Sequence, residues 1–226
     1  MSIPTLTVTR TWTCVLFDLD GTITDSAPGI TKSIAATFAA MGLPIPTPAE
    51  LVEYVGPPLL DAFRDFAHLN EATAREALAL YRANYYDDGA FDSAVFPGVR
   101  GVLQRLTAAG IPLGVATSKP ERQAKRILEH FGLSEYFTVI AGASEDEVRS
   151  SKADVLTEAL RRLTDLGVDL SQTVLVGDRS HDIEGALEHD LPAIMVEWGY
   201  GSPAEAAGAI AVVHSTDQLS SLLLGN

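Results

Sequence analysis

Asp18 and Asp20 stand two residues apart in "DLDGT" (18–22), directly after the apolar run "CVLF". Two neighbouring carboxylates repel each other, so such a pair needs an offsetting charge or a use. One chemistry uses both. A carboxylate attacks phosphorus as the nucleophile, and its neighbour protonates the leaving oxygen and later activates water. Asp18 suits the first task and Asp20 the second.

The same chemistry needs cations and donors for the phosphoryl oxygens. Candidates are Thr117, Ser118 and Lys119 in "VATSK", Lys152 in "RSSKADV", and Asp178 and Asp182 in "GDRSHD". Mg²⁺, a hard cation held by Asp178 and an oxygen of Asp18, would relieve the repulsion. The Thr117 hydroxyl, backbone amides and the Lys152 ammonium would take the remaining oxygens.

Structural roles compete with each of these. Asp20-Gly21 is ordinary turn chemistry. Ser118 opens "SKPE", the form of a helix N-cap with a glutamate three residues on. Asp178 follows a glycine at a strand end, and Asp182 suits the positive end of the next helix. Lys152 is harder to explain structurally. Ser151 and Asp154 read as an N-cap and first-turn acid, which puts a cation at a positive helix end at a cost of ~0.3–1 kcal/mol. A bound phosphate would reverse that cost. His68, His130, His181, His189 and His214 show no metal-ligand spacing and read as surface residues, with His181 notable for lying inside "GDRSHD".

The elements that must position these groups are legible in the apolar pattern. "WTCVLFD", "IPLGVATS", "FTVIAGA", "TVLVGD" and "AIMVEW" are short apolar runs that end in turn chemistry, as buried strands do. Helical patterns separate the last four. One spans Glu121 to Phe131, another Lys152 to Leu166, with Leu156, Ala159, Leu160 and Leu163 on one face. A shorter one near His181 carries Ile183, Ala186 and Leu187. This alternation predicts an α/β fold with a parallel sheet covered on both faces, and ligands in such sheets bind beyond the carboxyl ends of the strands. Each candidate above lies at such an end or opens the helix that follows one.

Residues 28–91 differ. Ile30, Ile34, Phe38 and Met41 form one amphipathic stripe, Ala74, Ala77, Leu78, Tyr81 and Tyr85 another, and "TPAE" at 47–50 reads as a capping box. The segment predicts a small helical insert after the first strand. Residues 1–26 and 93–226 would form the core, residues 27–92 the insert, and Asp25 the hinge.

At 226 residues and 46% hydrophobic content the chain can build one large domain or a domain with an insert. Its net charge of −14 repels nucleic-acid backbones and anionic membranes, so neither is expected as a partner. No run is long and apolar enough to span a bilayer, and "MSIPTLTVTRTWT" lacks the layout of a secretory signal. The lone cysteine, Cys14, reads as a core residue, and the cytoplasm is the expected compartment. Oligomeric state is not legible.

Taken together, these residues resemble the phosphatase branch of the haloacid dehalogenase-like superfamily. "DLDGT" matches its first motif, Thr117 its second, Lys152 its third and "GDRSHD" its fourth, over a stretch from about Thr13 almost to the C-terminus. The resemblance implies a Rossmann-like core with a helical cap. It also implies catalysis by Asp18, Asp20, Thr117 and Lys152, and Mg²⁺ bound in the region of Asp18, Asp20, Asp178 and Asp182. Gly21 and Ser118 would contact substrate, and "GPP" (Gly56, Pro57, Pro58) would form the cap's specificity loop, although a rigid turn explains that tripeptide equally well. Lys32 and Arg64 are further cap-borne candidates for an anion. "TSKPE" and the helical cap resemble phosphoglycolate phosphatases; "VGPPL", "ILEHFGL", "RSSKADV" and "WGYGS" resemble the 5′-nucleotidase-like group. The expected substrate is a small phosphate monoester of nucleoside 5′-monophosphate or phosphoglycolate type. Two alternatives remain. One is a phosphosugar mutase on the same fold; the other is a phospho-accepting signalling receiver, which needs neither a cap nor Asp20.

Overall fold

A computed structural model describes residues 12–87 and 89–225. The N-terminal stretch read for a secretory signal lies mostly outside the described residues. The chain begins with β1 (Cys14–Phe17) and β2 (Thr24–Asp25), followed by α1 (Ala27–Ala40), α2 (Pro48–Glu53), α3 (Leu59–Asp65) and α4 (Glu71–Asp87). β3 (Ala94–Val95) and α5 (Val99–Ala108) lead into β4 (Leu113–Pro120), α6 (Glu121–His130) and β5 (Val139–Ala143). α7 (Lys152–Asp165), β6 (Thr173–Gly177), α8 (Ser180–Leu187), β7 (Ala193–Val196), β8 (Ala211–Val213) and α9 (Thr216–Leu224) complete it.

Six strands form one parallel sheet in the order β5-β4-β1-β6-β7-β8. The two-residue alternation of a strand explains why "CVLF" is apolar throughout. Val15 and Phe17 join the core on one face, with Val102 and Leu106 of α5 and Leu219 and Leu223 of α9. Cys14 and Leu16 join the core on the other face, with Leu156, Ala159 and Leu163 of α7 and Ile183 of α8. β1 is thus the buried centre, and the ends of β4 and β6 flank its carboxyl end.

The helices α1–α4 bury a separate cluster that includes Ile30, Ile34, Phe38, Phe63, Ala74 and Leu78. Thr47 and Glu50 form the expected capping box at the start of α2. This unit leaves and rejoins the chain through a two-stranded antiparallel ribbon in which Thr24 pairs with Val95 and Asp25 with Ala94. Ile127 of α6 belongs to its cluster and ties it to the sheet layer.

Three local expectations are corrected. Ser118 caps no helix: β4 runs on to Pro120, and the α6 helix starts after a proline with no side-chain cap. Leu187 is 55% exposed because α8 ends there and turns it outward. β8 and α9 follow the last strand read from the sequence and extend the sheet by one strand.

Candidate active site

Asp18 is the first residue beyond β1, and its amide donates to the carbonyl of Val176 on β6 at 2.9 Å. The residue is 4% exposed. Lys152 opens α7 behind the N-cap Ser151, whose hydroxyl accepts from the Asp154 amide. From there its Nζ lies 2.7 Å from Asp18 Oδ1, 2.7 Å from Asp182 Oδ1 and 2.9 Å from the Ala116 carbonyl. Its contacts are thus two ion pairs with carboxylates and one hydrogen bond to a backbone carbonyl. Burial alone would lower the Lys152 pKa; Asp18 and Asp182 more than reverse this and hold it charged. A cation at a positive helix end is thereby explained within the protein, by two carboxylates.

Asp20 turns out of the strand end through a tight loop in which the Ile23 and Thr24 amides both donate to the Leu19 carbonyl at 2.9 Å. Gly21 makes that loop possible, with a φ of +86° and no room for a Cβ, which would lie 2.2 Å from Asp178 Oδ2. Asp20 Oδ2 accepts from Lys119 Nζ at 2.7 Å, and both residues are buried. Each of the two aspartates thus has its own ammonium group.

Asp178 follows β6 and is fully buried. Its Oδ2 accepts from the Tyr200 amide at 2.7 Å and its Oδ1 from the Thr22 hydroxyl at 3.2 Å. Asp182 Oδ2 accepts from the Asp178 and Arg179 amides, both at 3.1 Å, which gives it the helix-start role foreseen for it. Its other oxygen faces Lys152. Burial raises the Asp178 carboxyl well above its usual pKa, and Asp182 and Asp18 add to the effect. Burial likewise lifts Asp18 to about 6, against the pull of Lys152.

Asp18, Asp178 and Asp182 each place an oxygen within 4.8 Å of the others'. With Asp20, four buried carboxylates face two ammonium groups, an excess of two negative charges. One divalent cation cancels that excess, and an all-oxygen donor set suits Mg²⁺. The residues present fit the ion.

Thr117, 2% exposed, is the last residue of β4 before its register with β5 shifts, and its hydroxyl accepts from the Lys119 amide at 3.3 Å. Gly56 and Pro57 line a cavity together with Asp20, Ser118 and Lys119. Pro58 instead precedes α3 and borders a separate depression with Lys152 and His181. Lys32 and Arg64 lie apart from the site: Lys32 is 3.6 Å from Asp92, and Arg64 pairs with Asp61 and Glu71 on the exposed surface.

Arg179, Arg82 and Tyr200 were not singled out for the site from the sequence, and Lys119 was noted at its strand end without a role, yet each makes contacts there. Lys119 was within reach, since strand alternation puts it on the same face as Thr117. Arg179 donates from Nη1 to the Val55 carbonyl at 2.6 Å and from Nε to Glu205 at 2.8 Å, fastening the Gly56 loop to the sheet layer. Arg82 of α4 pairs with Glu147 and donates to the Glu145 carbonyl at 3.1 Å, a second fastening. The Tyr200 hydroxyl accepts from the Ser26 and Ala27 amides at 2.7 and 2.9 Å and donates to Asp25 at 2.7 Å. Flanking glycines in "WGYGS" were its one sequence signal.

A parallel sheet with carboxylates, a hydroxyl and two lysines gathered at three adjacent strand ends defines an α/β protein with a polar, buried site beyond its strands. More particularly, the chain belongs to the haloacid dehalogenase-like hydrolases, whose family model matches residues 15–196. It is 46% identical over 187 residues to the tyrosine-protein kinase PtkA of Mycobacterium tuberculosis, covering 83% of this chain and 62% of the kinase, so it spans under two thirds of that relative's length. It is 38% identical over 192 residues to a 5′-nucleotidase of Pseudomonas aeruginosa, covering 84% and 85% of the two chains. The structure of a predicted phosphatase from Clostridium acetobutylicum matches with a TM-score of 0.90 at 40% identity, over 95% of this chain and 99% of that one.

Proposed function

We propose that the protein is a Mg²⁺-dependent phosphatase that hydrolyses small phosphate monoesters through an aspartyl-phosphate on Asp18. The carrying observation is the division of charge at the end of β1: Asp18 faces Lys152 and the carboxylate cluster, while Asp20 faces Lys119 and the cavity. In the first step an Asp18 oxygen bonds to phosphorus as the ester P–O bond breaks, and Asp20 gives its proton to the departing alkoxide. In the second, Asp20 takes a proton from water as that oxygen bonds to phosphorus, and the bond to Asp18 breaks. Asp18 and Asp178 would hold Mg²⁺, with Asp182 beside them, and the bound ion would supply charge neutralisation for the transferring group. Lys152, the Thr117 hydroxyl and backbone amides near Gly21 and Ser118 would hold the other oxygens in place.

Residues 27–92 act as a cap in this reading, with Gly56 and Pro57 presented to the substrate. Such a cap favours turnover over a receiver's signalling switch. Among the described residues no helix is long and apolar enough to cross a membrane. A cytoplasmic site of action on a small-molecule ester, with neither nucleic acid nor membrane as partner, completes the proposal. The expected result is that Asp18→Asn abolishes phosphate release while Asp20→Asn accumulates protein heavier by one phosphoryl group, read by intact mass spectrometry. Turnover in Asp18→Asn near the wild-type rate would refute the mechanism.

A further inference from the structure

Beside Asp20 the cleft contains a cavity of about 70 Å³. Asp18, Asp178 and Lys152 do not line it; Asp20 and Lys119 do, and across from them stand Leu59, Tyr81 and Tyr85 of the helical unit. On the phosphatase reading, this is the chamber on the proton donor's side, where the departing alcohol lies.

Its charges are already matched. The cations lining it are Lys119 and Arg82. Lys119 is held by Asp20 at 2.7 Å, with its Nζ 4.7 Å from the Tyr85 ring centroid, and Arg82 is paired with Glu147. An anionic leaving group would have to break one of these pairs or sit unpaired in a largely apolar chamber, and an uncharged one avoids both costs.

Its polar groups are not all satisfied. Tyr85, 3% exposed, has a buried hydroxyl with no hydrogen-bond partner among the described residues, and so does Asp20 Oδ1. A buried hydroxyl left unpaired is costly, and a ligand hydroxyl or carbonyl would satisfy it. The chamber is also small.

We infer that this chamber selects phosphate monoesters whose leaving group is compact, uncharged and able to hydrogen-bond Tyr85, and that it disfavours leaving groups bearing a second anion. Phosphoglycolate carries such an anion. A nucleoside is uncharged but exceeds the chamber with the helical unit in this position.

The test is a matched pair. 2-Hydroxyethyl phosphate and phosphoglycolate differ only in a hydroxymethyl against a carboxylate. With Mg²⁺ present, kcat/KM for the first is expected to exceed that for the second by about tenfold or more. Tyr85→Phe is expected to shrink the preference for 2-hydroxyethyl over ethyl phosphate, and Glu147→Gln, which frees Arg82, to raise phosphoglycolate relative to 2-hydroxyethyl phosphate. Equal or better hydrolysis of phosphoglycolate by the wild-type protein overturns the inference without needing either variant to fold. An unchanged hydroxyethyl-to-ethyl ratio in folded Tyr85→Phe overturns the role of Tyr85. p-Nitrophenyl phosphate separates the two levels: its turnover alongside a preference for phosphoglycolate refutes only the chamber, whereas no turnover of any of the four esters refutes the phosphatase reading as well.

Discussion

Asp178 is enclosed by backbone. Tyr200 donates to it, and a Cβ on Gly199 would lie 2.4 Å from its Oδ2. Gly199→Ala must therefore displace the carboxylate without removing any charged group. The expected outcome is a rise of about 10–100-fold in the Mg²⁺ concentration giving half-maximal activity, the range typical when a metal ligand loses its support. A Mg²⁺ titration of phosphate release checks it. The buried acids and lysine of the site were legible because their residue types are costly to bury: Asp18, Asp20, Lys152, Asp178 and Asp182 had to be explained by one another. Arg179 and Tyr200 were not legible. Their partners at Val55, Ser26 and Ala27 lie more than a hundred residues away in the chain and are backbone groups, which carry no residue-type signal.

β1, β4, β5, β6 and β7 and the helices α6, α7 and α8 were read correctly in type, since each has an apolar pattern of its own, whereas α5, with Val99, Val102, Leu103 and Leu106 at helical spacing, and α9 were not read. The ribbon strands β2 and β3 have two residues each, too few for any alternation to register. The hydroxyl of Tyr200 joins that ribbon to the start of α1, where helix amides have no partner of their own. Tyr200→Phe leaves the hydrogen bond from its backbone N–H to Asp178 intact and removes the hydroxyl's hydrogen bonds with Ser26, Ala27 and Asp25. A loss of about 1–3 kcal/mol is expected, seen as a melting temperature lower by roughly 2–10 °C in calorimetry.

Across the whole molecule, an excess of negative charge on the surface coexists with an excess in the site, and the two respond differently to metal and pH. Burial holds the Asp18 pKa near 6 in the folded state, above its ordinary value when unfolded. The stability this group contributes without metal is present at low pH and is lost as pH rises through about 6. Mg²⁺ bound at the proposed site would have to displace that proton, so its stabilising effect would grow across the same window. Scanning calorimetry at about pH 5 and about pH 7.5 is expected to show a small Mg²⁺-induced rise in melting temperature at the lower pH and a larger one at the higher. An equal rise at both would contradict it.

The ribbon has a bearing on how this architecture could diversify. Asp25 and Ala94 are direct neighbours, so the entire excursion from residue 26 to residue 93 begins and ends at a single crossing point. A two-residue hairpin turn spans that gap. Nothing in the order of the six-stranded sheet depends on what is spliced there. The acids and lysines at the strand ends can therefore stay fixed in ancestry while the spliced piece is lengthened, shortened or exchanged, and a lineage could change what it admits without touching how it reacts.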